Sequence, residues 1–591
     1  MSDEAAAGYE SAVRDHGEWR ARPLILAGIG LIVALILQQL LDRDYRSGVV
    51  TPEPATWRIA LATAIGAGAL ALGFGMERLR LIWSLIFAGV VGAVGGLILY
   101  WHGNPGWEAF GGWSNASLFL SIAIAVPLFQ TARDEGRWQF PYAEVHGHAW
   151  TNVVLWFACW LFVGVVFLLA HLLAALFDLI GLKILTELLG KDWFGAGMAG
   201  AAFGGALGVL RERDRVVRLL QRVVTAVLGV LAPILGVGLL IFLGALPFTG
   251  LGALWEATKS TTPILLGCVI GALILANAVI GNGSGEDGED EATNPILRWG
   301  AMALALAILP LAVIAAVATG ARIGQYGFTP DRLWALVFVI LASCYGVVYL
   351  VALVRGRFDW ARFVRASNLT LAFVVSGVAL FLATPILSFN AISVRDQVGR
   401  LESGRTAPDK FDWAALAFDF GDPGKAAIGR LAKSSKTAIA TRAKEAAGKE
   451  NRWQVTQIEE GRDEADKLVN RLRVLPKPVP LPYALRQKLT GFESCGSFGR
   501  CTVFYSPSAT EAIVLREDCV ARPESSNVCA VARFWQHGSE WRSVLGGEWR
   551  GLSDAQQAAL KRGAAAGSFE IRTVPRRQVF VGGVPVGEPF E

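Results

Sequence analysis

Between Pro23 and Leu387 the chain is a succession of apolar runs, each about 17–25 residues long. A run of that length crosses a bilayer as a helix, because the hydrocarbon offers no water and each backbone N–H and C=O must be satisfied within the segment. The runs fall at 23–41, 57–75, 81–100, 116–130, 153–177, 193–210, 223–246, 262–280, 296–318, 333–354 and 368–387, and 116–130 is the shortest. The composition is 53% hydrophobic and 18% charged, with a mean hydropathy of +0.43. Soluble domains carry about a quarter of their residues as charges, so a soluble fold is excluded. The first run leads into Asp42-Arg43-Asp44 instead of a small-residue cleavage site, which marks an uncleaved anchor. The expected fold is a membrane all-α polytopic bundle of about eleven transmembrane helices, followed by an α+β soluble tail.

Composition divides the chain into five segments: an N-terminal segment 1–22, the membrane domain 23–390, a helical juxtamembrane region 391–474, a proline-rich linker 475–482 and a small domain 483–591. The linker, Leu475-Pro-Lys-Pro-Val-Pro-Leu-Pro482, favours extended backbone. Beyond it, Thr502–Tyr505, Ala512–Arg516, Val528–Trp535, Trp541–Leu545, Glu570–Val574 and Gln578–Val581 read as strands. Ser553–Arg562 reads as a short helix capped by Ser553, and Gly582-Gly583 leads to a polar end.

Charge sets the expected threading. With the N-terminus inside, the loops on its side carry 17 Lys and Arg against 8 on the other. The positive-inside rule then makes the N-terminus cytoplasmic and, after an odd number of spans, exports the tail. The cysteines point the same way. Cys159, Cys268 and Cys344 lie in apolar runs, whereas Cys495, Cys501, Cys519 and Cys529 cluster in the tail. Four cysteines there suit disulfides in an oxidising compartment, and proximity favours Cys495 with Cys501 and Cys519 with Cys529. The expected location is a bacterial inner membrane with the C-terminal domain periplasmic. The net charge of +5 is dispersed, and no nucleic-acid motif accompanies it, so no nucleic-acid partner is expected.

Most motifs reduce to architecture. Gly195-x-Gly197-x-x-Gly200 has the letters of a dinucleotide fingerprint without a preceding strand, while Gly200, Gly204 and Gly208 lay a smooth face along a helix. Gly399–Thr406 has Arg405 where a phosphate-binding loop needs lysine. Glu144, His146 and His148 lack further metal ligands, and the acidic, glycine-rich stretch 281–292 departs from a calcium-loop pattern. No Lys, Arg or Glu stands near a span centre; His171, Asp178, Asn277 and Asn368 lie toward span ends. Ion-coupled pumps keep carboxylates there for use, which argues against that class. The tail has one histidine, His537, no G-x-S-x-G elbow, and acids such as Asp412 and Asp419 that a solvated helix face explains. No catalytic residue, metal site or cofactor is assigned.

One loop resists this reduction. Arg322-Ile-Gly-Gln-Tyr326-Gly-Phe-Thr329-Pro-Asp331-Arg332 opens the span at 333–354. Thr329 suits the N-cap, Pro330 the first helical position and Asp331 the helix dipole. Arg322, Tyr326 and Arg332 have no such role, and the five polar residues Arg322, Tyr326, Thr329, Asp331 and Arg332 form the candidate functional loop. This phrase, together with Lys410-Phe-Asp-Trp-Ala-Ala-Leu-Ala-Phe-Asp-Phe-Gly421, resembles a family of bacterial multi-pass membrane proteins catalogued as domain of unknown function 4153. The resemblance covers most of the chain, most firmly from about Ile296 to Leu431. It implies the membrane architecture and carries no activity or catalytic residue. The expected role is non-enzymatic binding or sensing through the exported tail, with the lipid bilayer, an envelope protein or a lipid headgroup as partner. The alternatives are a permease or flippase for an uncharged or amphipathic substrate, for which no internal repeat is seen, and a membrane-embedded transferase.

Overall fold

The computed structural model describes residues 19–41, 55–102, 112–257, 261–284, 291–475 and 479–490, then Cys495, the tail strands given below and a few neighbouring residues. Among the described residues, eleven helices are long and apolar enough to cross a membrane, one for each apolar run. They are α1 (Arg22–Leu41), α2 (Thr56–Gly75), α3 (Leu81–Trp101), α4 (Trp113–Glu135), α5 (Tyr142–Leu179), α7 (Asp192–Arg211), α8 (Asp214–Ala257), α9 (Thr261–Ile280), α10 (Pro295–Tyr326), α11 (Pro330–Gly356) and α12 (Ala361–Ala383). A short α6 (Ile184–Leu189) lies between α5 and α7. The shortest apolar run is the core of a 23-residue helix, because polar residues that follow it, among them Thr131 and Arg133, are buried by neighbours. Within α8, Gly250 takes φ +73°, where the chain bends between two helical pieces.

The chain divides into two compact units, residues 1–407 with 420–423, and residues 408–419 with 424–591. In the first, helices approach through small residues. Lipid tails are as apolar as leucine, so helices gain from association mainly by close van der Waals contact. A Cβ added at Gly200, Gly204 or Gly208 would overlap backbone of α1 at Gly30, Leu26 or Pro23. The four-residue glycine spacing is therefore the α1–α7 seam. Gly92 and Gly96 do the same for α3 against the Ala64 and Ala60 carbonyls of α2. In the second half of the bundle α10 is central: Ala301, Leu304, Ala305, Ile308, Leu311, Ala312 and Ala315 are fully buried. Outward faces carry Ile82, Leu161 and Leu168 instead, as a lipid-facing surface does. Helix α13 (Phe389–Glu402), capped by Ser388, follows the last span.

The second unit holds a π-helical turn (Ala415–Asp419), α15 (Thr437–Ala447), α16 (Arg452–Leu468) and α17 (Tyr483–Leu489); α14 (Gly421–Leu431) begins where the units meet along the chain. Its sheet runs in the order β1 (Leu472–Leu475), β2 (Cys501–Ser506), β3 (Glu511–Arg516), β4 (Ala530–His537), β5 (Glu540–Glu548). The first pair is parallel and the others antiparallel. Leu475 pairs in β1 with Phe504, so the region expected to be helical ends in an edge strand that also takes the first residue of the proline-rich stretch. Alternate residues Cys501 and Val503, Ala512 and Val514, and Ala532 and Phe534 bury one face against Leu468, Leu485 and Leu489. Cys495 and Cys501 form a disulfide. A separate hairpin, β6 (Arg577–Val581) with β7 (Val584–Phe590), makes a strand of the end expected to be merely polar. Cys519, Cys529, the strand expected at 570–574 and most of the helix expected at 553–562 lie outside the described residues.

Candidate functional site

The loop between α10 and α11 is built as its sequence requires. Gly327 takes φ +79°, a conformation open to glycine, and its N–H donates to the Ile323 carbonyl to close α10. Thr329 is the N-cap of α11, its hydroxyl 3.4 Å from the Arg332 N–H, with Pro330 next. Arg332 folds back: Nη1 donates to the Gly327 carbonyl at 2.8 Å, and the guanidinium stands 5.5 Å from the centre of the Tyr326 ring. Tyr326, Arg322 and Asp331 are exposed.

Helix α13 supplies what the loop lacks. Asp396 accepts from the Phe328 N–H at 2.8 Å. Gln397 Nε2 lies 2.9 Å from both the Tyr326 and Phe328 carbonyls. Arg400 donates to Asp396 at 3.1 Å and to the Ile323 carbonyl at 3.2 Å. A Cβ on Gly327 would collide with these three side chains. The five candidate residues are thus one loop, and Asp396, Gln397 and Arg400 are its unforeseen complement. Their i, i+1, i+4 spacing on a polar helix just after the last span was the available signal.

A second cluster, missed in the sequence, joins helix ends on the Arg22 side of the bundle. The last carbonyls of α2 have no partners within the helix. Arg211 Nη1 donates to the Gly73 carbonyl at 2.7 Å, Gln130 to that of Phe74 at 2.8 Å, and Ser84 Oγ to that of Gly75 at 2.7 Å. Arg133 also donates to the Gly75 carbonyl. Glu77 bridges Arg22 and Arg211, the latter at 2.6 Å, and Glu212 lies 3.2 Å from Arg22 Nε. Buried arginines are tolerable because carboxylates and carbonyls surround them. Arg80 caps the end of α4 at the Arg133 and Asp134 carbonyls, and Arg365 caps α9 at the Ile280 carbonyl, 2.6 Å away. These arginines, counted above for topology, complement the negative ends of helix dipoles.

Within the second half, Asn277, Tyr349 and Asn368 close an uncharged ring. Asn277 Nδ2 donates to Tyr349 Oη at 2.8 Å, Tyr349 Oη to Asn368 Oδ1 at 3.2 Å, and Asn368 Nδ2 to Asn277 Oδ1 at 2.7 Å. Asn277 Nδ2 also donates to the Leu273 carbonyl at 2.8 Å, and the ring ties α9, α11 and α12 together.

Among the described residues no group of three His, Cys, Asp or Glu is placed to hold a metal. His146 accepts from Trp150 at 3.0 Å, and His148 lies 3.2 Å from Asp134. The Lys410–Gly421 phrase is chiefly core: Phe411 and Trp413 meet edge-to-face at 4.8 Å and are buried. Asp412 caps the π turn at Ala415 N, 2.8 Å, and Asp419 pairs with Arg452 at 3.2 Å. Glu459 accepts from the Trp413 N–H at 3.1 Å. Burial, and then the neighbouring Asp412 carboxylate, push the Glu459 carboxyl up to about 7.

No curated protein and no solved structure matches the chain. A family model does, over residues 26–430, which takes in the eleven spans, the α10–α11 loop, α13 and the Lys410–Gly421 phrase. The chain belongs to the family described as Domain of unknown function (DUF4153).

Proposed function

We propose that this membrane protein is a non-enzymatic envelope component of a bacterial inner membrane that binds or senses a partner through an exported tail. In this reading the α10–α11 loop is the point at which that event is felt by the membrane domain. The observation that carries it is the interlock of the loop with α13, the helix from which the chain continues into its tail. A load on α13 acts directly on Asp396, Gln397 and Arg400, and through them on the backbone that starts α11. Arg322 and Tyr326 present a cationic and aromatic surface beside this joint, suited to an acidic protein segment or a lipid headgroup. Export of the tail is supported by the arginine asymmetry and by the Cys495–Cys501 disulfide.

Two experiments test this reading. A phosphatase fused after Glu591 is expected to be active in intact cells; a well-expressed but inactive fusion overturns the orientation. Arg322→Ala, Tyr326→Ala and Arg332→Ala are expected to leave abundance intact and to reproduce the phenotype of deleting the protein. Unchanged phenotypes in all three return the loop to a purely architectural role.

A further inference from the structure

Two cavities adjoin in the first half of the bundle. One, about 1000 Å³, is walled by α1, α2, α5 and α7; the other, about 660 Å³, lies mainly among α2, α4 and α5. Both are of ligand-pocket size, roughly 300–1,000 Å³. They share Leu37, Leu41, Gly66, Leu70 and Trp156, so the two spaces lie side by side. Along the first, α1 contributes Leu26, Ile29, Val33, Leu37 and Leu41 at helical spacing, a rise of roughly 22 Å. That exceeds one leaflet of about 15 Å of hydrocarbon. At the Leu41 end the lining includes Lys191 and Asp192, the only ionisable residues among those that wall either cavity.

We propose that the paired cavities are a binding site for one glycerophospholipid with a zwitterionic, phosphoethanolamine-type headgroup. One acyl chain lies in each cavity, Lys191 meets the phosphate, and Asp192 meets the ammonium. The surrounding medium at this depth is hydrocarbon, so a deep apolar cleft between spans is filled by lipid chains and not by water. Two adjoining slots suit a two-chain lipid better than a single-chain one. The adjacent opposite charges select the headgroup: an anionic lipid gains Lys191 but is repelled by Asp192, whereas a zwitterion satisfies both. The outer helix faces meet the bilayer as a surface; here the lipid is enclosed on several sides and aligned with fixed charges. This site is independent of the binding role proposed above.

The test uses the purified full chain, delipidated in detergent and re-exposed to equimolar phosphatidylethanolamine and phosphatidylglycerol vesicles, with retained lipid counted by native mass spectrometry. One phosphatidylethanolamine per chain is expected, in preference to phosphatidylglycerol. Lys191→Glu is expected to lower its retention about tenfold, equivalent to about 1.4 kcal/mol. Ala196→Trp, which fills the first cavity, is expected to abolish it. Equal retention of the two lipids, or retention unchanged in Lys191→Glu, overturns the headgroup assignment. Retention unchanged in a folded Ala196→Trp overturns the site. If that variant elutes as aggregate, Lys191→Glu and Asp192→Lys decide: both residues are exposed and precede the seam glycines Gly200, Gly204 and Gly208. Each change is expected to lower phosphatidylethanolamine retention, and retention unchanged in both overturns the site.

Discussion

Replacing Asp396 by alanine removes the side chain on which the α10–α11 loop and α13 converge. Its carboxylate accepts from the Phe328 N–H at 2.8 Å and from Arg400 Nε at 3.1 Å. A hydrogen bond to a charged acceptor contributes about 1.5–3 kcal/mol. The ion pair, partly exposed on both sides, adds about 0–1 kcal/mol. Arg400 keeps its bond to the Ile323 carbonyl, which holds the loss toward the lower end. The predicted cost of Asp396→Ala is therefore about 1.5–2.5 kcal/mol of local stability, or roughly a 13- to 70-fold rise in opening of the loop. Asp396→Asn keeps an acceptor in place and loses the charge, so its effect is predicted to be about half as large in free energy. Hydrogen exchange on the full chain in lipid nanodiscs reads this at the Phe328 amide, with the amides of α10 near Leu304 as an internal reference that does not move. Protection of Phe328 within about threefold of the parent in Asp396→Ala would show that α13 does not hold the loop.

Gly204→Leu is predicted to destabilise the α1–α7 seam by at least about 1–3 kcal/mol, since its Cβ overlaps the Leu26 carbonyl. Gly205→Ala, which meets only the Ala27 Cβ at 3.6 Å, is predicted to be tolerated; equal thermal-aggregation midpoints for the two would refute the seam. Glu459 holds its proton in the folded tail to about 7 and releases it from a normal carboxyl near 4.5 when unfolded. The folded state thus binds more protons in that window, so the contribution is complete below pH 4.5 and is lost as pH rises through 7. Tail stability, read by limited proteolysis of the full chain in urea, is predicted to fall from pH 5 to pH 8 and to fall less in Glu459→Gln. With Cys495 joined to Cys501, unreduced peptide mapping is predicted to link Cys519 to Cys529; a link from either to Cys495 would contradict the pairing.

The number and order of spans follow from local composition alone, because a bilayer-length apolar run must be helical wherever it inserts. The start of α11 was equally legible: Thr329 and Pro330 act within their own turn. So was the α1–α7 glycine face, since a four-residue repeat puts Gly200, Gly204 and Gly208 on one side of any helix. Charge counting gives the arginines an expected side of the membrane but not their partners. Arg211 reaches the Gly73 carbonyl and Arg365 that of Ile280, across separations no local pattern encodes. The same holds for the Asn277–Tyr349–Asn368 ring: Asn277 and Asn368 stand toward separate span ends, and nothing local joins either to Tyr349. Unpaired helix-end carbonyls and amides are local debts of the backbone, visible in advance. Which side chain satisfies each one depends on which helices come together, and so only the tertiary structure could place Asp396 under Phe328.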